Sequence, residues 1–107
     1  MYTIEEIKNR IEPIAKKYNI PLVSLFGSYA RGEATEKSDL DFIIKRKGSS
    51  LKSVFDMGGL YAEVSAAFKP VSVDLITYET LHQHGDRKVK YLKIDVEKDQ
   101  KVIYEKQ

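Results

Sequence analysis

Asp39 and Asp41 stand two positions apart in an otherwise apolar run, and this feature most constrains what the chain can fold into. Residues i and i+2 of a β-strand lie on one face, about 7 Å apart at the backbone, so a strand here predicts that both carboxylates point the same way. Without partners, the two charges repel each other and resist burial. A divalent cation between them removes both costs, and Mg²⁺ prefers carboxylate oxygens. The pair therefore predicts a metal site and indicates an enzyme.

Length and composition favour one domain in the cytoplasm. A chain of 107 residues is long enough for one core and too short for two, so residues 1–107 are expected to form a single domain. The formal net charge of +2, from 18 basic and 16 acidic residues, gives no argument for direct nucleic-acid binding, and none is expected. The sequence has no cysteine, no signal-like leader and no long apolar segment, so we expect a cytoplasmic location and no membrane contact.

The hydrophobic pattern predicts both helices and strands. Thr3 and Glu6 match a capping box, and isoleucines at helical spacing predict a helix over residues 4–17 that Pro13 kinks or divides. Strands are predicted at residues 22–26, 39–44 and 71–77, with one helical turn at 29–31. Near the C-terminus the pattern indicates short helices at residues 78–85 and around 89–96, followed by a short strand or an extended tail at 101–104.

A longer helix is expected over residues 51–68, with Ser50 as its N-cap. Gly58 and Gly59 each cost about 1 kcal/mol relative to alanine in a helix interior, so close packing against a neighbouring element is expected to compensate. The predicted core face of this helix consists of Leu51, Val54, Phe55, Gly58, Tyr61, Ala62, Ser65 and Phe68.

Two further features join the aspartate pair. Asp74 interrupts another apolar strand, and adjacent strands would bring it near Asp39 and Asp41. Gly27 and Ser28 end the first strand, where free backbone N–H groups, a hydroxyl and a helix N-terminus suit phosphate oxygens; an ordinary tight turn is the alternative. Three carboxylates beside such a turn describe a site for two metal ions and a nucleoside triphosphate.

The remaining polar residues have simpler explanations. Arg31 is a candidate phosphate contact or a surface ion pair. His82 and His84 lie two positions apart, a spacing that on a helix favours solvated side chains over a zinc site. The basic run of residues 45–47 indicates a solvated strand end, with a contact surface for an acidic partner or RNA as the alternative.

The ordered set Gly27-Ser28, Asp39-Leu40-Asp41 and Asp74 closely resembles the nucleotidyltransferase superfamily related to DNA polymerase beta. The segments at residues 27–32 and 38–41, in so short a chain, look most like the minimal nucleotidyltransferases, many of which are antitoxins encoded beside a HEPN ribonuclease toxin. The resemblance spans almost the whole chain. It implies an α/β (α+β) fold, a small mixed β-sheet flanked by helices.

The resemblance also implies roles for individual residues. Asp39 and Asp41 would hold two Mg²⁺ ions, Asp74 would complete the triad as ligand and possible base, and Gly27 and Ser28 would bind the triphosphate. The expected reaction transfers AMP from ATP to a hydroxyl, that of a tyrosine on a HEPN toxin, within a hetero-oligomer. The alternatives are a binding-only antitoxin and an antibiotic-modifying nucleotidyltransferase.

Overall fold

Four strands form one mixed sheet in the computed structural model, which describes residues 1–83 and 100–106. The strands are β1 (Leu22–Phe26), β2 (Leu40–Ile44), β3 (Val73–Thr77) and β4 (Lys101–Glu105), in the spatial order β3-β2-β1-β4. Strands β2 and β3 are parallel, whereas β1 is antiparallel to both β2 and β4. The predicted mixed sheet flanked by helices is confirmed.

The first helix, α1, runs without a break over Ile4–Lys17. Thr3 and Glu6 form the predicted capping box, in which each side chain accepts a hydrogen bond from the backbone N–H of the other residue. Pro13 does not divide the helix, contrary to one of the two outcomes expected for it. Asn9 and Pro13 are both exposed, so water can reach the carbonyl oxygen that lacks a helical donor at Pro13.

The helical turn predicted after β1 is also present. Helix α2 spans Ser28–Arg31 and ends at Gly32, whose φ of 74° lies in the left-handed region. Glycine adopts that conformation without the steric cost that a Cβ would add. The turn therefore stops where the sequence predicts.

The next helix, α3, spans Val54–Ala67 and differs from the prediction in both its cap and its buried face. Ser53, not Ser50, is the N-cap, and it forms a capping box with Asp56. Leu51 is buried, but it enters the core from the loop before the helix, so it does not mark a helix face.

The face of α3 that contacts the core is the one that carries Leu60 and Val64. On the predicted face, Val54 is 85% exposed and Phe55 is 90% exposed, so the prediction is wrong for these two residues, whereas Phe68, at the C-cap, is buried as predicted. The expected close packing at the glycine pair is absent at Gly58, where an added Cβ would have no heavy atom within 4 Å. At Gly59 it would lie 3.3 Å from the hydroxyl of Tyr18.

The main core lies between the sheet and the two long helices, α1 and α3. It includes Ile7, Ile11, Ala15, Val23, Leu25, Phe42, Ile44, Leu60 and Val64. The other face of the sheet carries a smaller cluster in which Ile43 packs against Phe26, Ile76 and Tyr78. Because side chains alternate along a strand, Asp41 and Asp74 share this second face with Ile43 and Ile76.

Helix α4 covers Tyr78–Gln83, within the helix predicted at residues 78–85. The helix predicted around 89–96 and the environment expected for the side chains of His82 and His84 lie outside the described residues. The predicted last strand is confirmed and extends one residue further, to Glu105. Over residues 1–83 and 100–106, no helix is long and apolar enough to cross a membrane.

Candidate active site

Asp41 and Asp74 are direct partners across two parallel strands. Asp41 is the second residue of β2 and pairs in register with Asp74, the second residue of β3. Asp39 lies one residue before β2, so the prediction that the strand includes it is off by one. We call these three residues the aspartate cluster. The cluster lies where the strands begin, which explains why Asp39 and Asp74 are exposed although both strands are largely apolar.

Asp41 is the partly buried member of the cluster. Burial, which is the largest cause, together with the charge of Asp74, a hydrogen bond with Asp74 and the charge of Asp39, raises the pKa of its carboxyl group to about 6. All four causes disfavour the negative charge on Asp41. The cluster is therefore a concentrated negative site that a proton or a metal cation would stabilise.

Gly27 brings the turn after β1 against the carboxylate of Asp41. Phe26 pairs with Asp41 across the antiparallel strands, and Gly27 follows it with φ 79° and ψ −153°, a conformation that favours glycine. An ideal Cβ on Gly27 would lie 2.9 Å from Oδ2 of Asp41. Only a residue without a side chain lets the backbone approach the carboxylate this closely.

Ser28 begins α2 directly beside this glycine. The first backbone N–H groups of a helix have no partner within the helix, so they are available to an anion or to water. The Nε of Arg31 donates to Oε1 of Glu33 at 2.5 Å. The structure thus shows the ion pair that was one of the two interpretations of Arg31, while contact with phosphate stays a prediction.

The turn at residues 35–38 is a part of the site that the sequence did not predict. The hydroxyl of Ser38 accepts from the backbone N–H of Thr35 at 2.8 Å, and the N–H of Ser38 donates to the carbonyl of Thr35 at 3.0 Å. Lys37 donates its backbone N–H to the hydroxyl of Thr35 at 3.2 Å. These bonds close the loop immediately before Asp39. Only the serine that precedes Asp39 hinted at such a turn in the sequence.

The donor chemistry of the aspartate cluster suits Mg²⁺, because all its ligand atoms are carboxylate oxygens. Within residues 1–83 and 100–106, however, no group of three His, Cys, Asp or Glu side chains is placed to hold a metal ion. The three carboxylates would therefore have to rearrange around a cation when it binds, starting from the hydrogen bond that already joins Asp41 to Asp74. The raised pKa of Asp41 supports a cation here, since its charge has the most to gain from one.

The arrangement combines two complementary kinds of group. The backbone of residues 27–29 offers donors to phosphate oxygens, and the aspartate cluster offers acceptors to cations or to a proton from a hydroxyl. These groups are adjacent, because a Cβ on Gly27 would lie only 2.9 Å from the carboxylate of Asp41. Such a site can hold a triphosphate together with its cations and place a phosphorus atom beside carboxylates.

Sequence comparisons place the chain among known proteins. The family model described as polymerase beta, nucleotidyltransferase matches residues 9–107. A protein of Methanocaldococcus jannaschii, MJ0435, provisionally named a protein adenylyltransferase, is 38% identical over 79 residues, which cover 74% of this chain and 82% of the relative. Another protein from the same organism with the same provisional description, MJ1379, is 35% identical over 105 residues, which cover 92% of this chain and 96% of the relative.

A structural comparison agrees with the sequence comparison. The crystal structure of a toxin-antitoxin with AMP-PNP superposes with a TM-score of 0.67 at 22% identity, covering 94% of this chain and 74% of the other. At that identity the superposition shows a shared fold. The mixed sheet and the family match over residues 9–107 lead to one conclusion: the chain belongs to the polymerase beta nucleotidyltransferase family.

Proposed function

We propose that this protein transfers AMP from ATP to a hydroxyl group of a partner protein. The observation that carries the proposal is the in-register pairing of Asp41 with Asp74 beside the turn at Gly27, which puts carboxylates next to a candidate phosphate site. The family supports nucleotidyl transfer as the reaction class. The provisional names of the two relatives support a protein as acceptor.

The reaction exchanges one phosphate ester bond for another. The acceptor oxygen attacks the α-phosphorus of ATP, the bond from that phosphorus to the bridging oxygen breaks, and pyrophosphate leaves with the electron pair. Asp74, which is exposed, is the candidate to take the hydroxyl proton. Gly27 and Ser28 bind the triphosphate through backbone N–H groups and the serine hydroxyl, with Arg31 as a further candidate contact. Catalysis of this kind depends on positioning and on charge stabilisation.

Asp39, Asp41 and Asp74 are the residues that would hold two Mg²⁺ ions. When bound, the ions would supply charge neutralisation for the triphosphate and for the carboxylates themselves. The raised pKa of Asp41 means that its carboxyl group resists ionisation when no cation is bound. Metal binding and ionisation of Asp41 should therefore be coupled.

The partner that we propose is a toxin of the HEPN ribonuclease type, with tyrosine as the modified residue, in a hetero-oligomer in the cytoplasm. A structure of similar fold is a toxin-antitoxin with AMP-PNP, an ATP analogue, which supports both a toxin partner and an adenine nucleotide. The provisional names of the two relatives, protein adenylyltransferases, argue for a protein acceptor over an antibiotic.

A binding-only antitoxin is the competing function, and neutralisation of the toxin separates the two. The protein encoded by the adjacent gene is assayed for ribonuclease activity after incubation with the parent chain, ATP and Mg²⁺. We expect the parent to suppress the activity only when nucleotide and metal are present, and a variant with the aspartate cluster changed to asparagine to lose this effect. As a control with the same charge change, Glu5, Glu12 and Glu105, which are all exposed and lie outside the site, are changed to glutamine.

Equal suppression by the asparagine variant would mean that inhibition is by binding, and the transferase account would fail. The glutamine control should suppress the ribonuclease as well as the parent does. If the control also loses the effect, net charge and not the cluster is responsible.

A further inference from the structure

The surface at the N-terminal end of α3 combines exposed apolar side chains with a basic loop. Val54 is 85% exposed, Phe55 is 90% exposed, and Tyr61, about two turns from Val54, is 49% exposed. Single exposed apolar side chains are common on protein surfaces, but several that lie together often mark an interaction site. On α3, Phe55 lies opposite the buried Leu60 and Val64, whereas Val54 and Tyr61 lie at the flank between the exposed and the buried side.

The loop that leads into α3 adds positive charge to this surface. Residues 45–52 include Lys45, Arg46, Lys47 and Lys52, all exposed, and no acidic residue. The Nε of Arg46 donates to the carbonyl of Leu51 at 3.0 Å, which holds the start of the loop against the residues that enter the helix. The cations and the apolar residues therefore belong to one surface.

The two acidic side chains nearest this loop are already engaged. Glu79 accepts the backbone N–H groups of Arg46 and Lys47, at 3.0 and 2.9 Å. Asp56 accepts the backbone N–H groups of Lys52 and Ser53, at 2.8 and 3.1 Å. Each carboxylate bonds to backbone atoms, and in the described residues neither forms an ion pair with a basic side chain of the loop, although the charge of Lys45 acts on Glu79 and that of Arg46 acts on Asp56.

This surface is separate from the candidate active site. Asp41 lies near the start of β2 and Lys45 follows its end, so the two are roughly 13 Å apart along the strand. The basic loop therefore lies at the opposite end of the sheet from the aspartate cluster. A change on the surface should alter how a partner is held without altering the groups that carry out the transfer.

We propose that residues 45–52 and the exposed side of α3 form a docking surface for an acidic, partly apolar surface of the acceptor protein. This inference rests on the proposed function and deepens it, because it assigns the residues that hold the acceptor. Charge complementarity selects the occupant: acidic groups pair with the lysines and the arginine, while an apolar centre covers Val54 and Phe55. RNA or an anionic membrane could also bind the basic side chains, and the experiment below distinguishes both from a protein partner.

The test measures complex formation with the protein encoded by the adjacent gene, by calorimetry and without nucleotide. Phe55→Ala is expected to weaken the complex roughly tenfold or more, as expected for the loss of an aromatic residue at the centre of an interface. Val102→Ala removes part of another exposed apolar side chain outside the surface and should leave the affinity unchanged. Because Phe55 is almost fully exposed, its removal should not change the melting temperature.

A second variant tests how much the positive charge of the loop contributes to the affinity of the complex. Lys52→Glu is expected to weaken the complex, and the difference from the parent should shrink as the salt concentration rises. Lys8→Glu makes the same charge change on α1, away from the surface, and should have little effect. In the transfer assay, Phe55→Ala and Lys52→Glu should raise KM for the partner and leave kcat unchanged, because neither residue touches the site of transfer.

Failure of this inference can be distinguished from failure of the proposed function. Unchanged affinity for both surface variants, or no binding by the parent, overturns the docking surface even if transfer occurs. Binding that depends on Phe55 and Lys52 but gives no transfer supports the surface and contradicts the proposed reaction. Tight binding of the parent to single-stranded RNA or to phosphatidylserine vesicles, weakened by Lys52→Glu, would assign the surface to that ligand and overturn the protein partner.

Discussion

At the scale of single residues, the site depends on a contact between Gly27 and Asp41. The glycine lets the backbone of the turn reach the carboxylate, and the carboxylate in turn carries a raised pKa because it is partly buried beside two other acids. This arrangement lowers the free energy of unfolding of the protein without ligand. Bound cations and nucleotide would raise it again, so stability and ligand binding should respond to the same substitutions.

Asp41→Asn should stabilise the protein near neutral pH in metal-free buffer. The folded state holds the proton of Asp41 more tightly than the unfolded chain, since its pKa is about 6 against an ordinary value of 3.8. Stability from this group is therefore present below about pH 4 and is lost as the pH rises through 6. Above pH 6 the variant should be about 1–2 kcal/mol more stable than the parent, a value that allows for solvent screening.

Denaturant unfolding of both proteins at several pH values between 4 and 8 measures this difference. The stability of the parent should fall over that interval more than that of the variant, and added Mg²⁺ should stabilise the parent more. Parallel pH profiles would show that the carboxyl of Asp41 is not perturbed by its neighbours.

Gly27→Ala should impair nucleotide binding and lower stability. The new Cβ would displace the carboxylate of Asp41 and would force a strained backbone at φ 79°, which together cost about 1–3 kcal/mol. Gly32→Ala is the matched control, since Gly32 also has positive φ but its Cβ would meet nothing within 4 Å. Calorimetric titration with ATP and Mg²⁺ should show a loss of affinity for the first variant only. Equal affinities in the two variants would count against a role for the Gly27 turn.

At the scale of elements, the sequence predicted the features that depend on neighbouring residues better than those that depend on packing between elements. Strand β1 and the stop of α2 at Gly32 were predictable, because alternation, turn residues and glycine act within a few positions. The buried face of α3 was not. Its apolar residues allow two stripes at helical spacing, and only packing against the sheet selects the one that carries Leu60 and Val64.

The same limit applies to the candidate site. The sequence predicted which carboxylates approach each other, because Asp41 and Asp74 interrupt apolar strands that become neighbours. It did not predict that both residues lie at the starts of their strands or that Asp74 stays open to solvent, since element ends depend on turns such as that at residues 35–38. The ion pair of Arg31 with Glu33 was likewise only one of two possibilities in the sequence.

Ser53→Ala tests the observed start of α3. The serine hydroxyl accepts from the N–H of Asp56, so its removal should lower the free energy of unfolding by about 1 kcal/mol. Ser50→Ala is the control, because Ser50 only accepts an exposed bond from the amide of Asn19 and should cost about 0.5 kcal/mol or less. Chemical denaturation of the two variants compares the caps. A larger loss in Ser50→Ala would favour the cap predicted from sequence.

At the scale of the whole molecule, the fold separates chemistry from docking. The aspartate cluster and the Gly27 turn lie where β2 and β3 begin, and the basic loop with the exposed side of α3 lies beyond the end of β2. A partner that occupies the second surface can therefore present a hydroxyl to the first without blocking it.

The central claim is that the aspartate cluster transfers AMP to a protein hydroxyl. Intact-mass spectrometry of the adjacent-gene protein, after incubation with this chain, ATP and Mg²⁺, tests it most directly. The account predicts the mass increase of AMP, located by fragmentation on a tyrosine, that requires both ATP and Mg²⁺ and disappears with Asp41→Asn. An unmodified partner that is bound and inhibited, or modification at the parental rate by Asp41→Asn, would contradict the account.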